Sequence, residues 1–372
     1  MGWCTTSDLD QFTAAADGYL RSRAAENTLL LSAAQAAYAG RPGRPAAGGL
    51  LFGWWEPPGG GAPRGVFLHD PSVPLLLSSQ VPEIAAALAA ALAKMSRQVC
   101  GVDAPTEAAD AFAAAWTQRA GTVARVHRHC SVYRLTCADL ARPGAPATPG
   151  PALRPASGPG QGPAGRLRVA APGDLPLVTR WLAAYAAETA ERIGSPTELA
   201  ADLISYGGAV LWEVPPRPGH RWDGHHQMLP PRREALPPGE AAAQPAALAA
   251  LTRPVAGSVR ISMVYTPGER RRSGYAAALT RAVSRAVLAG DSPGASGLLG
   301  GRAARGPVAE VVLVTDRNRP DRWGTRQGYQ LVSERTVLRF GPVSGPLPRL
   351  PSAGRAPRLP TGPLPRLPRL PR

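Results

Sequence analysis

The stretch Ser258–Leu288, SVRISMVYTPGERRRSGYAAALTRAVSRAVL, concentrates the residues best suited to holding a ligand. A β-rich run ends at Tyr265, a short basic turn follows, and an apolar stripe at helical spacing begins near Gly274 (Ala276, Leu279, Val283, Ala286). Arg271, Arg272, Ser273, Gly274, Tyr275 and Ala276 therefore fall at a strand–turn–helix junction. The first N–H groups of a helix have no partner within it and carry partial positive charge. A glycine there has no Cβ to hold an anion away from the backbone. Arg270, Arg271 and Arg272 add cations. The chemistry is that of a pyrophosphate site; the plainer reading is a solvated basic turn.

Other reactive residues form weaker patterns. His220, His225, His226 and Asp223 lie in a Pro/Arg-rich stretch without metal-ligand spacing, so a solvated loop is the better reading. His127 and His129 share one face of a predicted strand, with Cys130 and Cys137 nearby. That reads as a strand pair and not a zinc site, and no metal is expected. Cys4, Cys100, Cys130 and Cys137 include no CxxC pair, which fits a reduced, cytoplasmic protein.

The elements around these residues read as mixed α/β in two rounds. In 1–140, Asp8 to Ala39 is predicted helical. Short strands follow at Leu50–Trp55, Gly65–His69 and Val73–Leu77, then a helix over Pro82–Met95 and a strand over Val99–Val102. A helix from Thr106 to about Arg119 and a strand over Val123–Thr136 complete the round. In 166–340 the order recurs. A strand at Leu167–Ala170 is followed by helices at Asp174–Arg192 and Pro196–Ile204. Strands are predicted at Ala209–Val214, Ala247–Val255 and Ser258–Tyr265. The last elements are a helix at Gly274–Ala289, a strand at Glu310–Thr315, a short helix at Asp321–Gln327 and a strand at Tyr329–Phe340. The shared order without sequence repetition predicts tandem copies of one fold. Residues 141–165 read as a Pro/Gly linker, 215–246 and a stretch near 291–307 as insertions, and 341–372 as a Pro/Arg tail. That tail ends in PLPRLPRLPR, which cannot make a helix or an inner strand, though it could dock on a partner.

Composition bounds the rest. A chain of 372 residues sets a prior of two to three domains, and 44% apolar residues suffice for ordinary cores. The 41 glycines and 42 prolines fit the long irregular pieces. No run of about 18 apolar residues is present, which excludes a membrane-spanning helix, and the N-terminal stretch lacks the pattern of a secretory signal. The formal charge of +16 invites a nucleic-acid reading. Yet Lys94 is the only lysine, and Arg, Ala, Gly and Pro are the products of GC-rich codons, so the balance needs no nucleic acid to explain it. Arg349, Arg355, Arg358, Arg366, Arg369 and Arg372 also place much of the charge in the tail.

The segment 166–340 resembles the GNAT superfamily of N-acetyltransferases. Arg271-x-x-Gly274-x-Ala276 after a strand is similar to that family's Q/R-x-x-G-x-G/A motif, and VYTPGERRRSGYAAAL resembles the form common in one branch. SYGGAVLWE (205–213), the Val311–Asn318 strand end and Gly328-Tyr329 resemble the same branch. The resemblance implies a mixed, mostly antiparallel sheet flanked by helices, an α+β fold present here in two tandem copies. It implies acetyl-CoA as acyl donor and an amine of a small molecule or protein as acceptor, attacking the thioester directly. Arg271, Arg272, Ser273, Gly274, Tyr275 and Ala276 would then hold the pyrophosphate, and Met263, Val264 and Tyr265 the pantetheine arm where two strands splay. Asn318 would contact the cofactor or order its loop, and a strand N–H would stabilise the oxyanion. Glu213 is the candidate base, with Asp316 second; strand-end and capping roles are their plainer readings. Tyr265 is either catalytic or a cleft wall. Gly324 stands where many members carry an acid tyrosine, so the usual general acid is missing. A catalytically weak acyl-CoA-binding or regulatory protein is therefore the alternative. In the first half, LLLSSQVPEIAAALA has neither glycine nor arginine at the corresponding turn and places Glu83 there, so that half is read as degenerate.

Overall fold

The computed structural model describes residues 2–40, 49–141, 163–189, 191, 193–215, 243–290, 308–316 and 323–342. Most of the expected linker, insertions and tail, together with Asn318 and His220, Asp223, His225 and His226, lie outside them.

The first half contains β1 (Gly2–Thr6), α1 (Leu9–Ser22), α2 (Thr28–Gly40), β2 (Leu51–Glu56), β3 (Val66–His69) and β4 (Leu75–Ser78). It continues with α3 (Pro82–Lys94), β5 (Gly101–Pro105), α4 (Thr106–Ala120), β6 (Thr122–Thr136) and α5 (Cys137–Leu140). The second contains β7 (Arg166–Val169), α6 (Leu175–Thr189), α7 (Pro196–Ser205), β8 (Ala209–Val214), β9 (Gln244–Leu251) and β10 (Ser258–Tyr265). After them come α8 (Tyr275–Ala289), β11 (Glu310–Asp316), α9 (Trp323–Arg326) and β12 (Gln330–Pro342). The fold class, a mixed and mostly antiparallel sheet flanked by helices and repeated in two halves, is as the sequence indicates.

Three local differences have physical causes. The helical stretch from Asp8 is two helices: Asp8 caps α1 through Asp10 and Gln11 N–H groups. Buried Asn27 breaks the run, its side-chain amide donating to the Leu20 carbonyl and its oxygen accepting from the Ser78 hydroxyl. β1 has no sequence signal beyond five residues, and its pairing with β2 defines it. β9 starts at Gln244 and ends at Leu251, earlier than the apolar run indicates, because Ala256 (φ 52°) and Gly257 (φ 72°) turn the chain between Val255 and Ser258.

All twelve strands share one sheet in the order β1-β2-β3-β4-β5-β12-β6-β11-β10-β9-β8-β7. Five strands of each half are followed by the last strand of the other. β12 lies between β5 and β6, and β6 lies between β12 and β11. β12 and β6 run antiparallel from Gln330 opposite Arg134 to Pro342 opposite Thr122. The parallel neighbours are β4/β5 and β10/β11.

The helices divide between the faces. α8 covers Val210, Trp212, Ile261, Val311 and Leu313, and α3 with α4 covers Leu75, Leu77, Val102, Ala104 and Leu338. α6 and α7 pack on Leu211, Leu248, Met263 and Tyr265, and α1 with α2 on Phe52, Val66 and Leu68. Val312, between two residues of the α8 face, packs instead with Val132 and Ala25. By alternation, α1/α2 and α6/α7 thus share one face and α3/α4 and α8 the other.

Arg335 on β12, 3% exposed, locks the exchange. Its Nε donates to Asp103 Oδ1 at 2.7 Å, and one terminal nitrogen donates to the Asp103 carbonyl at 2.7 Å and the Leu77 carbonyl at 3.3 Å. A side chain of the second half thereby ties β4 to β5 in the first. Arg335→Ala strands the Asp103 carboxylate. It is expected to cost about 3–5 kcal/mol in denaturant unfolding and to shift both halves in one transition; a second-half transition left in place would contradict the exchanged sheet.

Candidate active site

The turn before α8 has the geometry its sequence suggests. Arg272 (φ 63°) and Gly274 (φ 79°) are left-handed, with Ser273 between them. Such alternation turns successive N–H groups toward one concavity. Gly274 is the N-cap, no side chain caps the helix, and the first intrahelical bond runs from Ala278 N–H to the Gly274 carbonyl. Arg271, Arg272, Ser273 and Gly274 are exposed, whereas Tyr275 and Ala276 are half-buried. Pro163 flanks the turn: a Cβ on Gly274 would lie 3.4 Å from its Cδ.

β10 approaches this turn as a strand that loses one neighbour. Its parallel pairing with β11 runs from Ser258–Glu310 to Ile261–Leu313 and stops there. A bulge at Ser262 interrupts its register with β9. One extra residue reverses the faces. Ile261 packs under α8, whereas Met263 and Tyr265 pack under α6 and α7, and Val264 meets the α8 core. The expected pantetheine-binding residues Met263, Val264 and Tyr265 are therefore those that have parted from β11.

Tyr265 donates to Glu188 Oε1 on α6 at 3.1 Å, and its ring is 6.2 Å from that of Trp181. Arg271 bonds the other Glu188 oxygen and donates from Nε to the Thr266 carbonyl at 2.9 Å. Burial, then the Glu188 carboxylate, pushes the Tyr265 phenol above its usual range, which keeps it protonated as a donor. Glu188 is about half exposed, so this cluster adjoins solvent beside the turn. The sequence offers no signal for Glu188, one acid in an Ala-rich helix.

Glu213 is engaged in ion pairs. It is 6% exposed on β8; Arg166 donates twice to Oε2 at 3.1 and 3.0 Å, and Arg168 donates to Oε1 at 2.6 Å. Arg168 also holds Asp174. Both oxygens accept from guanidiniums, so Glu213 is the centre of an ion-pair node. Asp316 ends β11 with its Cα opposite Cys130. Gly328 (φ 91°) leads into Tyr329, whose buried hydroxyl meets Ser284 Oγ on α8 at 2.5 Å, so this pair fastens α8 to the start of β12.

The first half lacks these features. α3 starts from Val81 with Pro82 in its first turn and Glu83 beside it, with no left-handed residue at the junction. Pro82 removes an N–H that an anion would need. Arg335 ties β4 and β5 together just past Leu76–Asp103, their last parallel pair. Among the described residues no group of three or more His, Cys, Asp and Glu is placed to hold a metal ion.

No family model matches the chain, and no curated protein matches it. Among solved structures, it is similar to a GCN5-related N-acetyltransferase from Sphaerobacter thermophilus, at 16% identity over 91% of this chain and 95% of that one, TM-score 0.43. It is similar to a Drosophila protein at 14% identity over 91% and 98%, TM-score 0.49. A third, a tandem GNAT protein from the clavulanic acid biosynthesis pathway, is 12% identical over 80% and 84%, TM-score 0.34. The parting of β10 from β11 and the glycine turn opening α8 are features that the sequence resemblance implies, and here they lie in one continuous twelve-stranded sheet built from two halves.

Proposed function

We propose that the chain is an acetyl-CoA-dependent N-acetyltransferase whose second half is active. The carrying observation is the juxtaposition of the left-handed Arg272/Gly274 turn at an uncapped helix start with a strand that parts from its parallel neighbour. The residues suit the donor. Unpartnered N–H groups and three arginines match a pyrophosphate, and the edge of β10 from Ser262 to Tyr265 offers backbone groups to the amides of a pantetheine arm. Amine attack on the thioester carbonyl builds negative charge on oxygen, which a β10 N–H would stabilise. Glu188, oriented by the Tyr265 hydroxyl, is the proposed acceptor of the ammonium proton. Arg271, now shared between Glu188 and the Thr266 carbonyl, would also serve the pyrophosphate. The acceptor is an amine of a small molecule or a protein.

Calorimetric titration tests the donor site. Acetyl-CoA is expected to bind with a dissociation constant near micromolar, about −8 kcal/mol. Gly274→Glu, which puts a charged side chain on a left-handed backbone, should abolish the heat; absence of binding by the unaltered protein sinks the proposal. Kinetics against an amine panel test the proton acceptor. Glu188→Gln is expected to lower kcat by about 10²-fold with little change in acetyl-CoA affinity. Glu213→Gln should instead cost about 1–3 kcal/mol of stability and leave the kcat of folded protein unchanged. The reverse pattern would return the base to Glu213.

A further inference from the structure

We propose that Tyr133, on the strand that the first half lends to the second, is the acid that protonates the departing thiolate. The proposal rests on the acyl-transfer reading above. When the acceptor nitrogen bonds to the acyl carbon, the C–S bond breaks and its electron pair goes to sulfur. The Tyr133 O–H gives that sulfur a proton, yielding the free thiol. The phenolate regains a proton from water, and the proton lost by the amine balances it.

Four observations place Tyr133 there. First, it fills the volume that residue 324 leaves open. A Cβ on Gly324 would lie 2.8 Å from Tyr133 Cγ and 2.9 Å from Cδ2, so the ring lies flat on the glycine. Second, its Cα is opposite Leu313, the last β11 residue paired with β10. Directly opposed residues share a face, so Tyr133 stands on the α8 face at the level where the strands part. Third, three phenols packed nearby are committed, Tyr329 to Ser284, Tyr265 to Glu188 and Tyr206 to the Leu251 carbonyl, and Tyr275, also packed on this core, belongs to the first turn of α8 and not to the strand level where β10 and β11 part. The Tyr133 hydroxyl has no hydrogen-bond partner among the described residues. Fourth, although the residue is 8% exposed, its hydroxyl oxygen is not among the sealed unpaired atoms. The ring is clamped against Gly324, and the O–H is not fully sealed. The second half's chemistry is then incomplete without the first, which gives the exchanged strands a catalytic use.

Kinetics with acetyl-CoA and the best amine of the panel test the acid role. Tyr133→Phe is expected to fold with an unchanged unfolding midpoint and unchanged acetyl-CoA affinity, and to lose about 10²-fold in kcat. Gly324 does not have a left-handed φ, so its backbone accepts a side chain. The double variant Tyr133→Ala/Gly324→Tyr should therefore regain most of the lost kcat by supplying the phenol from α9. A Tyr133→Phe enzyme with normal kcat overturns the proposal. A placement test needs no turnover: Tyr133→Cys in a Cys130→Ser background is incubated with CoA disulfide and digested. A mixed disulfide at position 133, suppressed by acetyl-CoA, is expected. No adduct there while acetyl-CoA still binds overturns the placement alone; no acetyl-CoA binding in the unaltered chain overturns the acyl-transfer reading and this proposal together.

Discussion

The architecture depends on the reciprocal loan of two strands. A β-strand satisfies its backbone N–H and C=O groups only through neighbours, and β12 finds them on β5 and β6 of the other half. β6 in turn lies between β12 and β11. Neither half closes its own sheet. The chain must bring residues 122–136 and 330–342 together before either half has a complete core, and Arg335 makes the union specific by pairing with Asp103 across it. A buried guanidinium without its carboxylate would be costly, so other registers of β12 are disfavoured.

The two halves of one design differ at their parallel strand pairs and at the helix starts that follow them. In the second half β10 and β11 part beyond Ile261 and Leu313, and the chain enters α8 through an uncapped, glycine-bearing, arginine-rich turn. In the first, Arg335 bridges the carbonyls of β4 and β5, and Val81-Pro82-Glu83 stands at the helix start. One half offers donors to an anion; the other has spent the corresponding space on its own stability.

The anion turn was legible because its signal is local. A helix start, a glycine and adjacent arginines lie within six residues, and the helical period of Leu279, Val283 and Ala286 fixes where the turn falls. Apart from β1 and the short α5, the element order in both halves was legible for the same reason. The partners of the carboxylates were not. Glu213 looked available at a strand end, but the guanidiniums of Arg166 and Arg168 are brought to it by pairing with β7, 45 to 47 residues away. Glu188 on α6 is joined to Tyr265 of β10 and to Arg271 of the turn, contacts that no local pattern announces.

By itself the sequence determined the two rounds of strands and helices, the degenerate first turn and the glycine-arginine turn of the second. Periodicity, turn chemistry and helix-start electrostatics act over a few residues and can be read along a chain. Tertiary structure alone decided which last strand completes which half, which carboxylate is locked by cations, and which side chain covers Gly324. Those outcomes depend on contacts between residues far apart in sequence, such as Tyr133 with Gly324 and Arg335 with Asp103. Sheet register chooses such partners, and register is specified when the strands bury a face in the folded core.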